Sequence, residues 1–324
     1  MPEAHQSTAR VRTLSLTAAV ATLGTAAALA APAPAATLAG CPLLPRAFPT
    51  NQRVDHLPVL AGSEAIVRSI GLDEGLHPDF ASGTYQGRPI GIPYDVVGKR
   101  TKRERVRFGY ADESDRVRYP ILRGVHIEGG RDADGDRHAL LLDRDACRLY
   151  ELFDLQGRPG AWSAGSGATW SLRSTKVRPA GWSSADAAGL PILPLLARYQ
   201  EVKRGRIDHA LRVTVSRSRR AYVYPARHYA SSETDPSLPR MGERLRLKAG
   251  VDISGLPRQA RVIAEALKRY GLIVADNGSD WYVSGAPSRS WDNDRLRALR
   301  TLTGRDFEVV DTRPLARVSA ALAP

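Results

Sequence analysis

Short apolar runs broken by glycine, proline and charged residues limit most strongly what this chain can fold into. From about residue 90 onwards such runs are too short for an ordinary helix but long enough for a strand. They read IGIPYDVV, RVRFGY, YPIL, HALLLD, RLYELFDL, GATWSLRS, HALRVTV and AYVYPA. The turns between them are rich in Gly, Ser, Asp and Pro, which predicts many short strands joined by exposed loops.

Helical periodicity is clear only in the C-terminal third. Apolar residues fall on one helical face between residues 258 and 270, where Pro257 can begin a helix and Gly271 can end it. A second helix is predicted from about Asp292. These patterns predict a mainly β protein, a β-sandwich or jelly-roll-like body with a few peripheral helices, and an α+β fold is the alternative.

The first 36 residues have the pattern of a secretory signal peptide. Arg10 and Arg12 precede an apolar stretch, and small residues follow it up to Ala36. No later stretch approaches about 18 consecutive apolar residues, so no transmembrane span is expected. The sequence therefore predicts a secreted protein.

Three segments follow from this interpretation. Residues 1–36 would be the signal peptide, and residues 37–311 would form a single globular β-rich domain with an extended N-terminal arm. Residues 312–324, rich in Ala and Arg, would be a disordered tail.

The chain contains two cysteines, Cys41 and Cys147. An even number of cysteines in an exported protein favours a disulfide. The bridge would close a loop of about 100 residues and contribute on the order of 4 kcal/mol in the chain-entropy model. Residues 38–41, Leu-Ala-Gly-Cys, also form a lipobox, so lipid anchoring through Cys41 is the alternative.

The net charge of +13 suggests attraction to polyanions, such as an acidic polysaccharide outside the cell. The basic residues are scattered, apart from clusters at residues 99–107 and 217–220. No zinc-finger, RNP or basic-zipper pattern accompanies them, so nucleic acid is not an expected partner.

Acidic residues crowd the stretch IEGGRDADGDRHALLLDRDACRLYE at residues 127–151. Asp132, Asp134 and Asp136 stand at alternate positions and could converge on calcium. An EF-hand loop, however, needs Gly after its third acid and Glu at position twelve. In this chain Gly135 comes before the third acid, and position twelve is Asp143. A solvated turn is therefore the expectation, calcium is the alternative, and no other metal or cofactor is predicted.

Glu128 and His138 flank this turn, so a hairpin would bring them side by side. Together they would form a carboxylate–imidazole pair with a pKa near neutrality, usable for acid and base catalysis. Strand parity places His138 on the same face as Leu140 and Leu142. A core histidine hydrogen-bonded to Glu128 is therefore the alternative.

A second candidate group follows the run AYVYPA. Arg227, His228 and Tyr229 are adjacent there, and Arg, His and Tyr are side chains suited to β-elimination on uronate polymers. Arg would neutralise the substrate carboxylate, and His or Tyr would remove the proton. Surface stacking, with His228 as a turn residue, is the alternative.

Further carboxylates and aromatic side chains widen the choice. A glycosidase could pair Glu128 with Asp143 or Glu151, and the acidic loop ADESD at residues 111–115 could supply one acid. Five tryptophans could serve as platforms for sugar rings or simply fill the core: Trp162, Trp170, Trp182, Trp281 and Trp291.

Several stretches resemble a group of exported proteins of actinobacteria and other soil bacteria that have no assigned activity. The matching stretches are NQRVDHLPV, GLHPDF, YADESD, IEGG, GDRHALLLDRDACRLYELF, GWSSADAAGLPILPLLARYQEV, IDHALRVT and YPARHYASSETDPSLPRMGERLRLK. The resemblance covers residues 41 to about 311 and implies one cooperative unit, without implying any catalytic residue. Its characteristic parts include Glu128-Gly-Gly and Asp136-Arg-His138.

These patterns favour an exported carbohydrate-active hydrolase or lyase that acts on an extracellular polysaccharide. Catalysis would rest on Glu128 and His138 first, and on the group around His228 second. The alternative is a non-catalytic cell-wall or glycan-binding protein.

Overall fold

A computed structural model describes residues 1, 3 and 36–321 of the chain. The predicted signal peptide therefore lies almost entirely outside the described residues. The strands β1 to β17 are, in chain order, Thr37–Leu38, Cys41–Pro42, His77–Asp79, Thr84–Tyr85, Arg88–Pro89, Tyr94–Val97, Val106–Phe108, Ala139–Asp143, Arg148–Phe153, Gln156–Arg158, Ala161–Ala164, Ser166–Ser171, Leu211–Val215, Arg244–Leu247, Leu272–Asn277, Tyr282–Ser284 and Phe307–Val309. The helices α1 to α5 are Ser63–Ile70, Tyr199–Arg204, Arg258–Arg269, Asn293–Arg297 and Arg313–Ala321.

A six-stranded mixed sheet is the largest of the sheets in the described chain. Its strand order is β17-β14-β15-β13-β16-β3. Strand β13 runs parallel to β15 and antiparallel to β16, and β16 runs parallel to β3. These four adjacent strands come from distant parts of the chain, so the sheet brings residues near 77, 212, 276 and 284 together.

Helix α3 packs on this sheet as its sequence period predicts. Its apolar residues, among them Ile263 and Leu267, are buried in the same core as β13 and β15. Pro257 precedes the helix, and Gly271 follows it with a φ of 71°. A side chain at Gly271 would meet the carbonyl oxygen of Leu245 at 2.2 Å, so this position requires glycine both for its φ and for space.

A four-stranded sheet carries the HALLLD stretch. Its order is β12-β9-β8-β6, and every residue of β8 is buried. Leu140 and Leu142 face one hydrophobic cluster, while Ala139 and Leu141 face another. The sheet therefore has a core on each side, and the alternation predicted for these residues is confirmed.

The segment 181–196 crosses between these two sheets as a largely buried loop. Leu190 of this loop packs in the core of the six-stranded sheet, and Ile192 packs in a core of the four-stranded sheet. The backbone N–H of Ala188 donates to the Ala275 carbonyl of β15 at 2.9 Å. Helix α2 follows and ends at Gly205, which has a φ of 85°. The loop thus places residues 183–187 beside the ends of β13 and β15.

The predicted disulfide between Cys41 and Cys147 is present, with an S–S distance of 2.07 Å. Both cysteines are buried in the cluster beside the four-stranded sheet. The bridge fixes the N-terminal arm to the turn between β8 and β9. A cysteine bonded in this way is not free to carry a lipid.

The mainly β or α+β class is confirmed, whereas the sandwich or jelly-roll arrangement stays a prediction. The C-terminal segment differs from the expected disordered tail, because residues 313–321 form α5 and Leu315 packs with Val54, Leu57 and Val310. The apolar contact of Leu315 stabilises this helix on the body, and residues 322–324 of the predicted tail lie outside the described residues. Among the described residues, no helix has the length and apolar character needed to cross a membrane.

Candidate active site

A row of polar side chains crosses one face of the six-stranded sheet. Val213 of β13 pairs with Val283 of β16, which brings the neighbouring Arg212 beside Ser284. The Arg212 Nη1 donates to Ser284 Oγ at 2.8 Å. On the other side of β13, Asp276 of β15 pairs with Thr214. Strand register therefore collects these polar groups on the same face of the sheet.

The buried loop adds a second carboxylate to this row. Asp186 is fully buried and accepts from Arg212 Nη2 at 3.0 Å, and the same nitrogen donates to Asp276 Oδ2 at 2.8 Å. One guanidinium thus holds two carboxylates, whose oxygens contact the same nitrogen atom. We call Asp186, Arg212 and Asp276 the cavity network.

The cavity network borders a cavity of about 350 Å³, here called the carboxylate cavity. Four carboxylates and one imidazole contribute to its wall: Glu113, Asp136, Asp186, Asp276 and His228. Tyr110, which is largely exposed, and Phe153 also contribute. A concave site with several convergent titratable groups is the usual setting for catalysis.

Burial changes the acidity of the two aspartates in the cavity network. It raises the pKa of Asp276 to about 7, although the positive charge of Arg212 opposes the rise and the negative charge of Asp186 adds to it. Burial likewise raises the pKa of Asp186. Because two acids share a single arginine, Asp276 is poised to hold or release a proton near neutral pH.

Glu113 behaves in the opposite way. Burial alone would raise the pKa of its carboxyl, but the hydrogen bonds of the Ser183 side chain and backbone N–H, the latter 3.0 Å from Oε2, act against burial. His228 and Arg178 lower the pKa of Glu113 further. Glu113 is therefore ionised in the cavity where Asp276 can be protonated.

The predicted pair of Glu128 and His138 forms, immediately behind the carboxylate cavity. His138 is buried, and its Nδ1 lies 2.5 Å from Glu128 Oε2 while its Nε2 lies 2.9 Å from the Ala185 carbonyl oxygen. Burial alone would lower the pKa of His138, but the carboxylate of Glu128 overrides burial and raises it to about 9. The interaction with His138 in turn lowers the pKa of Glu128 against the effect of burial.

This geometry changes the role predicted for His138. Both ring nitrogens face oxygen acceptors, so both carry protons and the ring is an imidazolium. A pKa near neutrality was predicted for the pair, and the ion pair with Glu128 is the reason for the difference. His138 instead positions the loop that carries Asp186, through its hydrogen bond to Ala185.

The acidic turn does not gather its three aspartates. Asp134 accepts from Arg88 of β5 at 2.7 Å, whereas Asp136 lies beside Glu128 and His138. Among the described residues, it is this last group whose ligand atoms lie within 4.8 Å of one another. Both nitrogens of His138 are already engaged as donors, so the imidazolium offers no lone pair to a metal ion.

The three adjacent candidates Arg227, His228 and Tyr229 do not share one site. His228 lines the carboxylate cavity, and its Nδ1 donates to the Ala187 carbonyl oxygen at 2.9 Å. Arg227 does not line the cavity and donates to the Arg178 carbonyl at 3.1 Å. Tyr229 stacks on His228 and accepts from Arg220 at 3.3 Å. The structure therefore brings one of these three residues to the cavity.

The other predicted carboxylates are parts of the core. Asp143 is buried and accepts from Arg103 Nη2 at 2.6 Å. Glu151 is fully buried, and the backbone N–H groups of Ile192 and Leu193 donate to it at 2.9 Å. Neither lines the cavity, and each carboxylate is held by protein donors.

The tryptophans mostly fill the cores. Four of them are buried: Trp162, Trp170, Trp281 and Trp291. Trp182 is half-buried and carries the Arg178 guanidinium over its ring at 5.3 Å. Core packing is therefore the role of the four buried rings.

Sequence reasoning missed the cavity network. Asp186, Arg212 and Asp276 each stand alone in an apolar stretch: SSADAAGLPIL, HALRVTV and LIVAD. A solitary charge inside an apolar run is costly to bury unless it is paired, and that cost is the signal that could have singled out these residues.

Comparisons of the chain with protein-family models, with curated proteins and with solved structures found no match.

Proposed function

We propose that the carboxylate cavity is the active site of an exported hydrolase that acts on a glycan. The observation that carries the proposal is the convergence of Asp276, with a pKa of about 7, and Glu113, with a lowered pKa, on one cavity. Two carboxyl groups whose environments drive their pKa values apart are the requirement for glycoside hydrolysis.

The roles follow from the protonation states. Protonated Asp276 donates its proton to the glycosidic oxygen as the bond to the sugar breaks, and ionised Glu113 supports the cationic sugar carbon. Glu113 acts either as the nucleophile or as the base that removes a proton from the attacking water. Asp136 supplies a third carboxylate to the same wall.

Hydrolysis fits this cavity better than elimination. A lyase on uronates needs a cation to neutralise the substrate carboxylate. Arg212 is committed to Asp186, Asp276 and Ser284, and Arg227 lies outside the lining. A cavity rich in carboxylates therefore suits a neutral sugar unit rather than an anionic one.

The proposal of secretion rests on the signal-peptide pattern of residues 1–36. The disulfide between Cys41 and Cys147 supports it, because such bonds persist in oxidising compartments. The predicted sandwich body would suit an extracellular glycan-active protein as well, and likewise remains a proposal.

A non-catalytic glycan-binding protein is the second candidate. It is favoured by another cavity, lined by aromatic rings and uncommitted charges, which requires no acid pair to bind a sugar. In that case the net charge of +13 would assist retention on acidic wall polymers.

The test is release of reducing ends from a panel of wall and plant polysaccharides by the purified protein. We expect Asp276→Asn and Glu113→Gln each to lower the rate about 100-fold or more, and the exposed control Glu64→Gln to leave it unchanged. Activity should also fall as pH rises through about 7, because Asp276 then loses the proton it donates. Release that survives both substitutions would refute this active site, and a polymer that is retained but never cleaved would favour the binding protein.

A further inference from the structure

A second cavity, of about 630 Å³, lies on the face of the six-stranded sheet where β3 and β16 pair. We call it the aromatic cavity. Side chains of β3, β16, the β4–β5 hairpin and the α4 region form its wall: His77, Asp79, Tyr85, Tyr282, Arg297 and Arg300. None of these residues lines the carboxylate cavity, so this is a separate place on the molecule.

Flat rings form one part of the aromatic cavity. His77 and Tyr282 are register partners on parallel strands, and their rings stack with centroids 4.0 Å apart and planes 7° from parallel. Tyr85 stands on the hairpin with 69% of its surface exposed. Such ring faces carry negative charge density and attract the C–H groups of a pyranose.

His77 behaves as a neutral ring in this setting. Burial, followed by the positive charge of Arg300, lowers the pKa of His77 below its ordinary value. The ring therefore adds apolar stacking surface at neutral pH rather than a positive charge.

Two opposite charges, Asp79 and Arg300, stand in the same wall. Neither Asp79 nor Arg300 makes a side-chain hydrogen bond or ion pair with another residue in the described part of the chain. Arg297 lies near Asp294, at 3.5 Å, and both of these side chains are exposed. An uncommitted carboxylate can accept from sugar hydroxyls, and an uncommitted guanidinium can bind a carboxylate through two parallel hydrogen bonds.

Asp79 also limits which anions fit. It is accessible but recessed, and burial together with the negative charge of Glu128 raises its pKa. A phosphate monoester, with nearly two negative charges, would be repelled by this acid more strongly than a carboxylate, which carries one.

We infer that the aromatic cavity binds a saccharide unit that carries a carboxylate, that is, a uronic acid residue of a glycan. The sugar ring stacks on the outer face of the His77–Tyr282 pair and on Tyr85, its carboxylate pairs with Arg300, and its hydroxyls donate to Asp79. The inference deepens the proposed function, on which it rests only for the glycan class.

The experiment is isothermal titration with tetragalacturonic acid and, as the neutral probe, cellotetraose, at about 150 mM salt so that the overall positive charge is screened. Tetragalacturonic acid should bind at least tenfold more tightly than cellotetraose. Arg300→Gln should weaken that binding at least tenfold and Tyr85→Ala about fivefold, since a charge-assisted pair is worth more than one stacked ring.

Arg289→Gln is the matched control, because the substitution removes the same charge as Arg300→Gln. Arg289 is exposed and does not line the cavity. It should leave the affinity unchanged. Equal weakening by Arg300→Gln and Arg289→Gln, or equal affinity for both probes, would overturn the inference. Asp276→Asn should bind tetragalacturonic acid normally, so failure of catalysis and failure of this site can be told apart.

Discussion

Two buried arginine networks in this molecule differ in their charge balance. In the first, here called the closed network, Arg198 donates through Nη2 to Glu201 at 2.7 Å and to His209 at 2.9 Å. All three side chains are buried, and Arg204 lies 3.7 Å from the other oxygen of Glu201. No cavity described above touches them.

The cavity network reverses this balance. Glu201 alone faces Arg198 and His209, and although burial alone would raise its pKa, these partners lower it to about 2. Arg212 alone faces two aspartates, and the pKa of Asp276 rises to about 7. A buried carboxylate paired with its own arginine therefore yields a permanent structural ion pair, whereas two acids that share one arginine beside a cavity yield a group that can exchange protons.

The largest difference between the networks should appear in stability. We expect Glu201→Gln to lower the free energy of unfolding by about 3–5 kcal/mol, because it leaves Arg198 buried without its counter-charge. The measurement is denaturant unfolding followed by circular dichroism. Glu308→Gln is the control, with an expected loss of about 1 kcal/mol, since Arg246 keeps its bonds to the carbonyls of Val54 and Leu57. Equal losses in the two variants would contradict the structural role of the closed network.

The next difference should appear in the pH dependence of stability, where Glu201 of the closed network can be compared with His138, which positions the loop that carries Asp186. The pKa of His138 is about 9 in the folded protein and 6.5 ordinarily, so its contribution is complete below pH 6.5 and is lost as pH rises through 9. The loss amounts to about 3 kcal/mol at most. Glu201 acts at the other end, because its lowered pKa gives stability that is lost as pH falls from 4.5 through 2.

Thermal unfolding from pH 2 to pH 9 tests this assignment. Above pH 7, where Asp276 has already lost its proton, the melting temperature of the wild-type protein should continue to decline through pH 9, and His138→Gln should flatten that decline while sparing the one below pH 4.5. An unchanged alkaline slope in His138→Gln would show that the imidazolium is not its source. His138 should also remain protonated at pH 8 in ¹⁵N spectra of the imidazole.

Asp276→Asn should have the smallest effect on stability of these variants, although its effect on activity should be large. Asp276→Asn leaves Arg212 paired with Asp186 and removes a like charge, so the free energy of unfolding should change by less than about 1 kcal/mol and in the stabilising direction above pH 7. Unfolding curves at pH 8 provide the measurement. A loss of unfolding free energy as large as that in Glu201→Gln would mean that both networks stabilise the fold to the same extent.

Structural features that depend on neighbouring residues could be predicted from the sequence, whereas features that depend on distant contacts could not. The two cysteines, the 258–269 helix with its Pro and Gly ends, and the alternation in residues 138–142 all follow from composition or period. The pairing of Glu128 with His138 also followed, because both flank one turn.

The cavity network lay beyond such reasoning because its members come together through the parallel pairing of β13 and β15 and through a buried loop. Nothing in the neighbourhood of Asp186 indicates which strand it will meet. Likewise, Nε2 of His138 meets a carbonyl oxygen 47 residues away, at Ala185. Tertiary structure decides these relations, and the isolated charges in apolar runs are the trace they leave in the sequence.

The bridge between Cys41 and Cys147 changes what a single cut in the backbone can do. The tip of the β4–β5 hairpin, Gln86–Gly87, is exposed and is the kind of place where proteases nick a folded protein. A cut there would sever β3 and Tyr85 from the rest of the polypeptide, yet the two fragments would stay covalently joined through the disulfide. Tethering keeps β3 at high local concentration beside β16, so a nicked molecule would keep both cavities and would come apart only in denaturant with a reductant.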